Sequence, residues 1–118
     1  MKIMCVDDSP SIRILVKKAL DGQGYGLVEA ENGLDAMDKL STDISLFIVD
    51  INMPKMNGFE FVENLKQKPD YGQKPVVFLT TESSDDKKAK GKSLGVRGWI
   101  VKPFEPESLQ KVVKMLLN

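Results

Sequence analysis

Four short apolar runs in this chain stop at side chains able to do chemistry. "IMCV" (3–6) is followed by Asp7 and Asp8, "LFIV" (46–49) by Asp50, "VVFL" (76–79) by Thr80 and Thr81, and "WIV" (99–101) by Lys102. An ionised carboxylate at the end of a buried strand, as at Asp50, is strongly disfavoured unless something compensates its charge. Two carboxylates about 4 Å apart repel by roughly 4 kcal/mol at an effective dielectric of about 20, so three that converge need cations. Lys102 supplies one positive charge, and a hard divalent ion with oxygen ligands supplies two more. Few protein ligands and several open positions suit Mg²⁺, which keeps waters and shares phosphate oxygens. Asp50 in such a setting is a nucleophile for phosphoryl transfer, forming an acyl phosphate. Thr80 can donate to one phosphoryl oxygen and Lys102 can pair with another.

Whether these ends meet depends on the elements that carry them. With a further apolar run, "LVEA" (27–30), the chain alternates five strand-like runs with five helical patterns. Helical spacing is clearest at Ile12, Leu15, Val16, Ala19 and Leu20, and again at Leu109, Val112, Val113, Leu116 and Leu117. Ser9 and Pro10 make an N-cap and first position for the first helix, and Gly22 and Gly24 end it. The pattern predicts a second helix over 34–40 and a third from Gly58 to Lys68, just before Pro69. The fourth follows "ESSDD", with acids in its first turn and lysines after, as the helix dipole favours. Strict β-α alternation with continuously apolar strands predicts an α/β fold, a parallel sheet covered by helices on both faces. Right-handed crossovers make it a doubly wound five-stranded sheet. Ligands of such sheets bind at the carboxyl ends of the strands, where the four run ends lie.

At 118 residues the chain is expected to be a single domain, 1–118, with one buried core and no output domain. It carries 17 basic and 17 acidic side chains, which gives no argument for nucleic acid or membrane partners. The balance is uneven, however. Residues 74–102 hold seven basic and three acidic side chains, whereas residues 1–73 hold eight and twelve. The single Cys5 excludes an intramolecular disulfide and, inside an apolar strand, reads as a buried inert thiol. Histidine is absent, which removes His-based acid–base chemistry, Ser-His triads and His-ligated metals. No signal peptide, apolar span of membrane length or lipidation motif appears, so a cytoplasmic monomer is expected.

"VDD" at 6–8, "DINMPKMNG" from Asp50, "LTT" at 79–81 and "KPF" from Lys102 resemble the receiver domain of two-component response regulators, of the stand-alone chemotaxis (CheY) type. The resemblance covers the whole chain. It implies the strand order 2-1-3-4-5, for which the chemotaxis member of the family is the standard instance. It further implies Asp50 as phosphoacceptor, Asp8, Asp50 and the Asn52 backbone carbonyl as direct Mg²⁺ ligands, and Asp7 acting through water. A cis bond between Lys102 and Pro103 is implied as well, as is a role for Gly58 in the tight turn after the site, where a glycine adopts backbone conformations without a Cβ penalty.

The resemblance also assigns tuning and output residues. Asn52 and Glu82, two residues beyond Asp50 and Thr80, stand where an amide and an acid accompany rapid hydrolysis in chemotaxis-type receivers. Family members signal through the face of the fourth helix, fifth strand and fifth helix. That face includes Trp99, where Tyr or Phe is usual. In the family that aromatic turns inward when the strand-four Thr hydroxyl moves toward the phosphoryl group; tryptophan is bulkier, so a partial rotation rather than a full inward turn is expected of it on phosphorylation. The fourth helix carries Lys87, Lys88, Lys90 and Lys92 and few apolar residues beyond Ala89 and Leu94. The expected partners are a histidine kinase as phosphodonor and a downstream target such as a flagellar motor switch, or no target if the protein is a phosphate sink. Haloacid-dehalogenase-type phosphatases also use a nucleophilic Asp, a Thr, a Lys and an acidic pair with Mg²⁺. They place a second Asp two residues after the nucleophile, where this chain has Asn52, and their acidic pair comes late rather than first. The chain is therefore not expected to be a turnover enzyme.

Overall fold

Each apolar run is a strand, and the chain passes through a helix between every two. The computed structural model describes residues 1–118. The strands are β1 (Lys2–Val6), β2 (Gly26–Ala30), β3 (Ile44–Val49), β4 (Val76–Thr80) and β5 (Gly98–Val101). The helices are α1 (Pro10–Leu20), α2 (Gly33–Asp38), α3 (Gly58–Lys66), α4 (Asp85–Ser93) and α5 (Pro106–Leu117). All pairings are parallel, in the order β2-β1-β3-β4-β5. The chain steps outward from β1 to β2, then crosses back over β1 to place β3 on its other side. That reversal opens a crevice at the carboxyl ends of β1 and β3. No helix is long and apolar enough to cross a membrane.

Alternation along the strands divides the core between the two faces. Met4, Val6, Phe47, Val49, Val76 and Phe78 pack with Phe61, Val62 and Leu65 of α3 on one face. Ile3, Cys5, Leu46, Ile48 and Leu79 pack with Val16 and Leu20 of α1 and with Leu109 and Val113 of α5 on the other. Fully burying side chains of this size contributes roughly 1.5–3 kcal/mol each. The outer strands differ from the expected continuous burial. In β2 only Ala30 is buried and in β5 no residue is, because each has a neighbour on one edge only.

Local signals fix the helix ends. The Ser9 hydroxyl accepts from the Ile12 N–H at 3.3 Å, and Pro10 opens α1. Asn57 and Glu60 form a reciprocal capping box at α3. Helix α2 is shorter than its pattern predicts and starts earlier, because the Asn32 side chain accepts from the Asp35 N–H at 2.8 Å and begins the helix at Gly33. Helix α3 stops at Lys66, two residues short of the expected end. Helix α4 has acids in its first turn and lysines in its last, and Gly91 is its only buried residue.

Candidate functional site

The register brings the ends of β1 and β3 side by side, with Val6 opposite Val49, so Asp7 and Asp50 emerge as neighbours. Carboxylate oxygens of Asp7, Asp8 and Asp50 lie within 4.8 Å of one another. Asp7 and Asp50 are buried, 2% and 6% exposed, while Asp8 faces solvent. Lys102, which follows β5, crosses the end of β4 to reach them. Its Nζ donates to Asp7 Oδ2 at 2.8 Å and to Asp50 Oδ2 at 3.2 Å. Its backbone N–H donates to the Thr80 carbonyl at 2.9 Å, tying the lysine to β4. The remaining oxygens also have donors: Ser9 N–H to Asp7 Oδ1 at 2.9 Å, and Ile51 N–H to Asp50 Oδ1 at 2.8 Å. These contacts compensate the buried charge at the end of β3.

Titration follows from this packing. Burial raises the Asp7 carboxyl above the ordinary carboxylate range, against the opposing pull of Lys102 and the Ser9 N–H, and the Asp50 charge pushes the same way as burial. Burial pulls Lys102 down, but its hydrogen bond to Asp7 and the charges of Asp7 and Asp50 outweigh that, and the net direction is upward. The ammonium is therefore held charged among more negative charge than it can neutralise alone.

Residue 82 closes the mouth of the site through three atoms. Its N–H donates to Thr80 Oγ1 at 3.3 Å, its carboxylate accepts from Asn52 Nδ2 at 2.8 Å, and its carbonyl accepts from Trp99 Nε1 at 2.8 Å. Lys87 of α4 stands 3.8 Å from the same carboxylate. The Thr80 hydroxyl, fully buried, bonds neither Asp50 nor Lys102. The Trp99 ring meets Phe78 edge-on, with centroids 5.3 Å apart at 87°.

The residues singled out from sequence gather as expected at Asp7, Asp8, Asp50 and Lys102, with Asn52, Thr80 and Glu82 around them. The Lys102–Pro103 bond is cis. Thr81 is exposed and does not share the buried position of Thr80. Trp99 is half-buried in the unphosphorylated chain. The reason for Gly58 is corrected. Its φ is not in the left-handed region, which Lys55 occupies instead at 69°. A Cβ on Gly58 would stand 2.3 Å from the Asp50 carbonyl oxygen, so close backbone approach is what demands glycine there.

Two contributors escape sequence reading. Arg13 donates from Nη1 to the Asp7 carbonyl at 2.5 Å while pairing with Glu29 at 3.1 Å, which steadies the end of β1. Only its place beside the apolar stripe of α1 hinted at an inward role. Gly91 is the second. A Cβ there would meet Trp99 Cζ3 at 3.0 Å and Phe78 Cε2 at 3.3 Å, so this glycine makes room for the indole. A glycine mid-helix with no turn to serve was its signal.

The donor set is chemically coherent with a hard cation. It offers three carboxylates and the Asn52 carbonyl, which accepts no hydrogen bond from the protein. The Lys102 ammonium between Asp7 and Asp50 already shows that the cluster attracts positive charge. Such a set could hold Mg²⁺.

Comparison with known proteins agrees with this geometry. The response regulator receiver domain family matches residues 3–114. The chain is 35% identical along its whole length to the chemotaxis protein CheY1 of Helicobacter pylori, covering 98% of that protein. It is 36% identical to a CheY homologue of Campylobacter jejuni, of which it covers 93%. The solved structure of chemotaxis protein CheY4 of Vibrio cholerae aligns with a TM-score of 0.91 at 42% identity, over 98% of this chain and 97% of that one. Sheet order, site and likeness converge, and the chain belongs to the response regulator receiver domain family, as a receiver of CheY-like chemotaxis type.

Proposed function

We propose that Asp50 accepts a phosphoryl group from a histidine kinase and thereby switches the face formed by α4, β5 and α5 for a downstream partner. The observation that carries this reading is the buried Asp50 carboxylate, sharing Lys102 with Asp7 beside Asp8 at the topological crevice. In the transfer, an Asp50 oxygen attacks phosphorus of the donor phosphohistidine. The O–P bond forms as the N–P bond breaks, and the departing imidazole takes its proton from solvent. These 118 residues contain no histidine, so the donor phosphohistidine lies outside them.

Each neighbour has a part. Lys102 pairs with a phosphoryl oxygen as charge builds there, and the Thr80 hydroxyl donates to another after turning from its present place beneath Glu82. Asp8, Asp50 and the Asn52 carbonyl would hold Mg²⁺ directly and Asp7 through water; the bound ion would neutralise carboxylate and phosphoryl charge. Hydrolysis reverses the switch, with water attacking phosphorus to release inorganic phosphate and restore the Asp50 carboxylate. Asn52 and Glu82, bonded to each other across the mouth, would orient that water. Rotation of Thr80 removes the acceptor from the Glu82 N–H, and Trp99, held by the Glu82 carbonyl, moves with it.

The test is intact-mass measurement after incubation with acetyl phosphate and Mg²⁺. One added phosphoryl is expected, absent from Asp50→Asn and from samples with chelator. Equal labelling of the Asp50→Asn variant would overturn the assignment.

A further inference from the structure

Three hydrogen bonds close the chain between β1 and α1 on itself. The Asp7 carboxylate accepts from the Ser9 N–H at 2.9 Å, the Ser9 carbonyl accepts from the Arg13 N–H at 3.1 Å, and Arg13 Nη1 returns to the Asp7 carbonyl at 2.5 Å. Asp8 stands at the apex of this loop. Its exposed carboxylate lies within 4.8 Å of those of Asp7 and Asp50, yet the donors that hold those two, Lys102 and the Ser9 and Ile51 N–H groups, do not reach it. A carboxylate without donors points where its backbone points it. The peptide between Asp7 and Asp8 is planar, so whatever fixes the Asp7 carbonyl also fixes the line on which Asp8 begins. On its other side Asp7 is tied to β2, through its N–H to the Ala30 carbonyl at 3.0 Å. Arg13 is itself held, because its Nε donates to Glu29 Oε1 at 3.1 Å, with side chains 17% and 43% exposed. The planar guanidinium fixes the relation between its two donors, so Glu29 sets the direction of Nη1. An ion pair this open to solvent contributes little to stability, and its consequence is direction.

We propose that Arg13 is a positioning residue for the cation site: anchored on Glu29, it grips the Asp7 carbonyl and so aims the Asp8 carboxylate into the space shared with Asp7 and Asp50. The inference rests on the cation reading of the function proposed above. Groups that bond to metal ligands orient them, and their loss typically lowers metal affinity about 10–100-fold. Arg13 acts here through one peptide bond and touches neither ion nor phosphoryl group. Its own charge works the other way, since a guanidinium beside the cluster repels a divalent cation. Simple attraction therefore cannot be its contribution, and a change that keeps the charge but loses the planar fork isolates the aiming. Lysine is that change, because one ammonium cannot present two donors in a fixed relation.

The test titrates the full chain with Mn²⁺, a cation that oxygen ligands suit, and reads free ion by its electron paramagnetic resonance signal. Arg13→Lys is compared with Glu29→Gln, which leaves the guanidinium but weakens its anchor. Glu31→Gln makes the same charge change at an exposed position that Arg13 does not contact. Gln110→Ala removes the bond from Gln110 Nε2 to the Ala19 carbonyl at 2.7 Å, loosening the far end of α1. Thermal melts in chelator verify each fold. Arg13→Lys is expected to bind Mn²⁺ about tenfold more weakly and Glu29→Gln to fall between it and wild type. Glu31→Gln and Gln110→Ala should bind as wild type does, even where the latter melts lower. Unchanged affinity in Arg13→Lys, or weakening as large in either control, would overturn the proposal. Should Arg13→Lys fail to fold, Glu29→Gln decides, and affinity equal to that of Glu31→Gln counts against it. The two readings fail differently. Wild-type binding with no loss in the Arg13 and Glu29 variants removes the role of Arg13 alone, whereas no binding to wild type at millimolar Mn²⁺ removes the cation reading and this inference with it.

Discussion

Asp8 differs from the other two carboxylates of the cluster in having no cation of its own. Lys102 serves Asp7 and Asp50, so Asp8 adds negative charge within 4.8 Å of both with nothing to offset it. Removing it relieves repulsion, partly screened because the residue is exposed. Asp8→Ala is therefore expected to melt about 2–5 °C higher than wild type in chelator, and to lose most of the stabilisation that Mg²⁺, bound as proposed, would give wild type. A variant that melts lower in chelator would show that crowding is not the dominant effect. Gly91 poses the opposite problem, a residue poor for helix retained inside one. Alanine would improve helix propensity by about 1 kcal/mol, yet its methyl would stand 3.0 Å from the Trp99 ring and 3.3 Å from that of the fully buried Phe78. Trp99 is the half-buried partner and is the one to yield. Gly91→Ala is expected to be no more stable than wild type and to show red-shifted emission from the displaced indole. Greater stability with unchanged emission would mean that the glycine serves no such purpose. The acids and Lys102 were legible because strand ends place them; Gly91 and Arg13 were not, because their significance lies in contacts between elements distant in sequence.

Between elements, the coupling unit is β4, the loop after it, α4 and β5. Thr80, Glu82 and Trp99 form one chain of hydrogen bonds, and close packing of Trp99 against Phe78 and Gly91 leaves little slack in it. If, as proposed, the Thr80 hydroxyl turns to an acyl phosphate, volume would open beneath Glu82 and the loop carrying its carbonyl would shift. Beryllofluoride with Mg²⁺, as an acyl-phosphate mimic, is thus expected to change Trp99 emission or its quenching by iodide, and Thr80→Ala to abolish the change. Unaltered fluorescence at saturating mimic would make Trp99 a packing residue only. At this scale the sequence was most readable in the central strands, whose runs are buried on both faces as their composition demands. Sheet edges were less readable. "WIV" looks as apolar as the central runs, and "LVEA" is interrupted only by Glu29, yet β2 and β5 are only partly buried, since position in the sheet is not written in any single run. The order 2-1-3-4-5 likewise came with the family resemblance, because crossover handedness restricts winding but leaves several orders open.

For the molecule as a whole, the two-faced core sets both stability and its dependence on pH. Cys5 sits at the centre of the face shared with α1 and α5, 1% exposed, in agreement with the inert thiol expected from its strand. Burial, followed by the charges of Asp7 and Glu29, pushes its thiol from 9.0 up to about 12. The sign follows from which state loses the proton first. Above pH 9 the unfolded chain ionises at Cys5 while the folded chain does not, so unfolding is favoured progressively until the folded thiol also titrates near pH 12. Other groups titrate over the same range, and comparison with Cys5→Ala isolates this one. The variant pays a small cavity cost at every pH, but it lacks the alkaline penalty. Urea unfolding at pH 8 and pH 10 should therefore show wild type losing roughly 1 kcal/mol more between the two than Cys5→Ala does. In the native protein at pH 8, the thiol should react with a disulfide reagent only as fast as the sheet opens, so labelling accelerates with added urea. Rapid labelling without urea, or parallel pH profiles for the two proteins, would mean that the face between the sheet, α1 and α5 is far more open to water than its packing indicates.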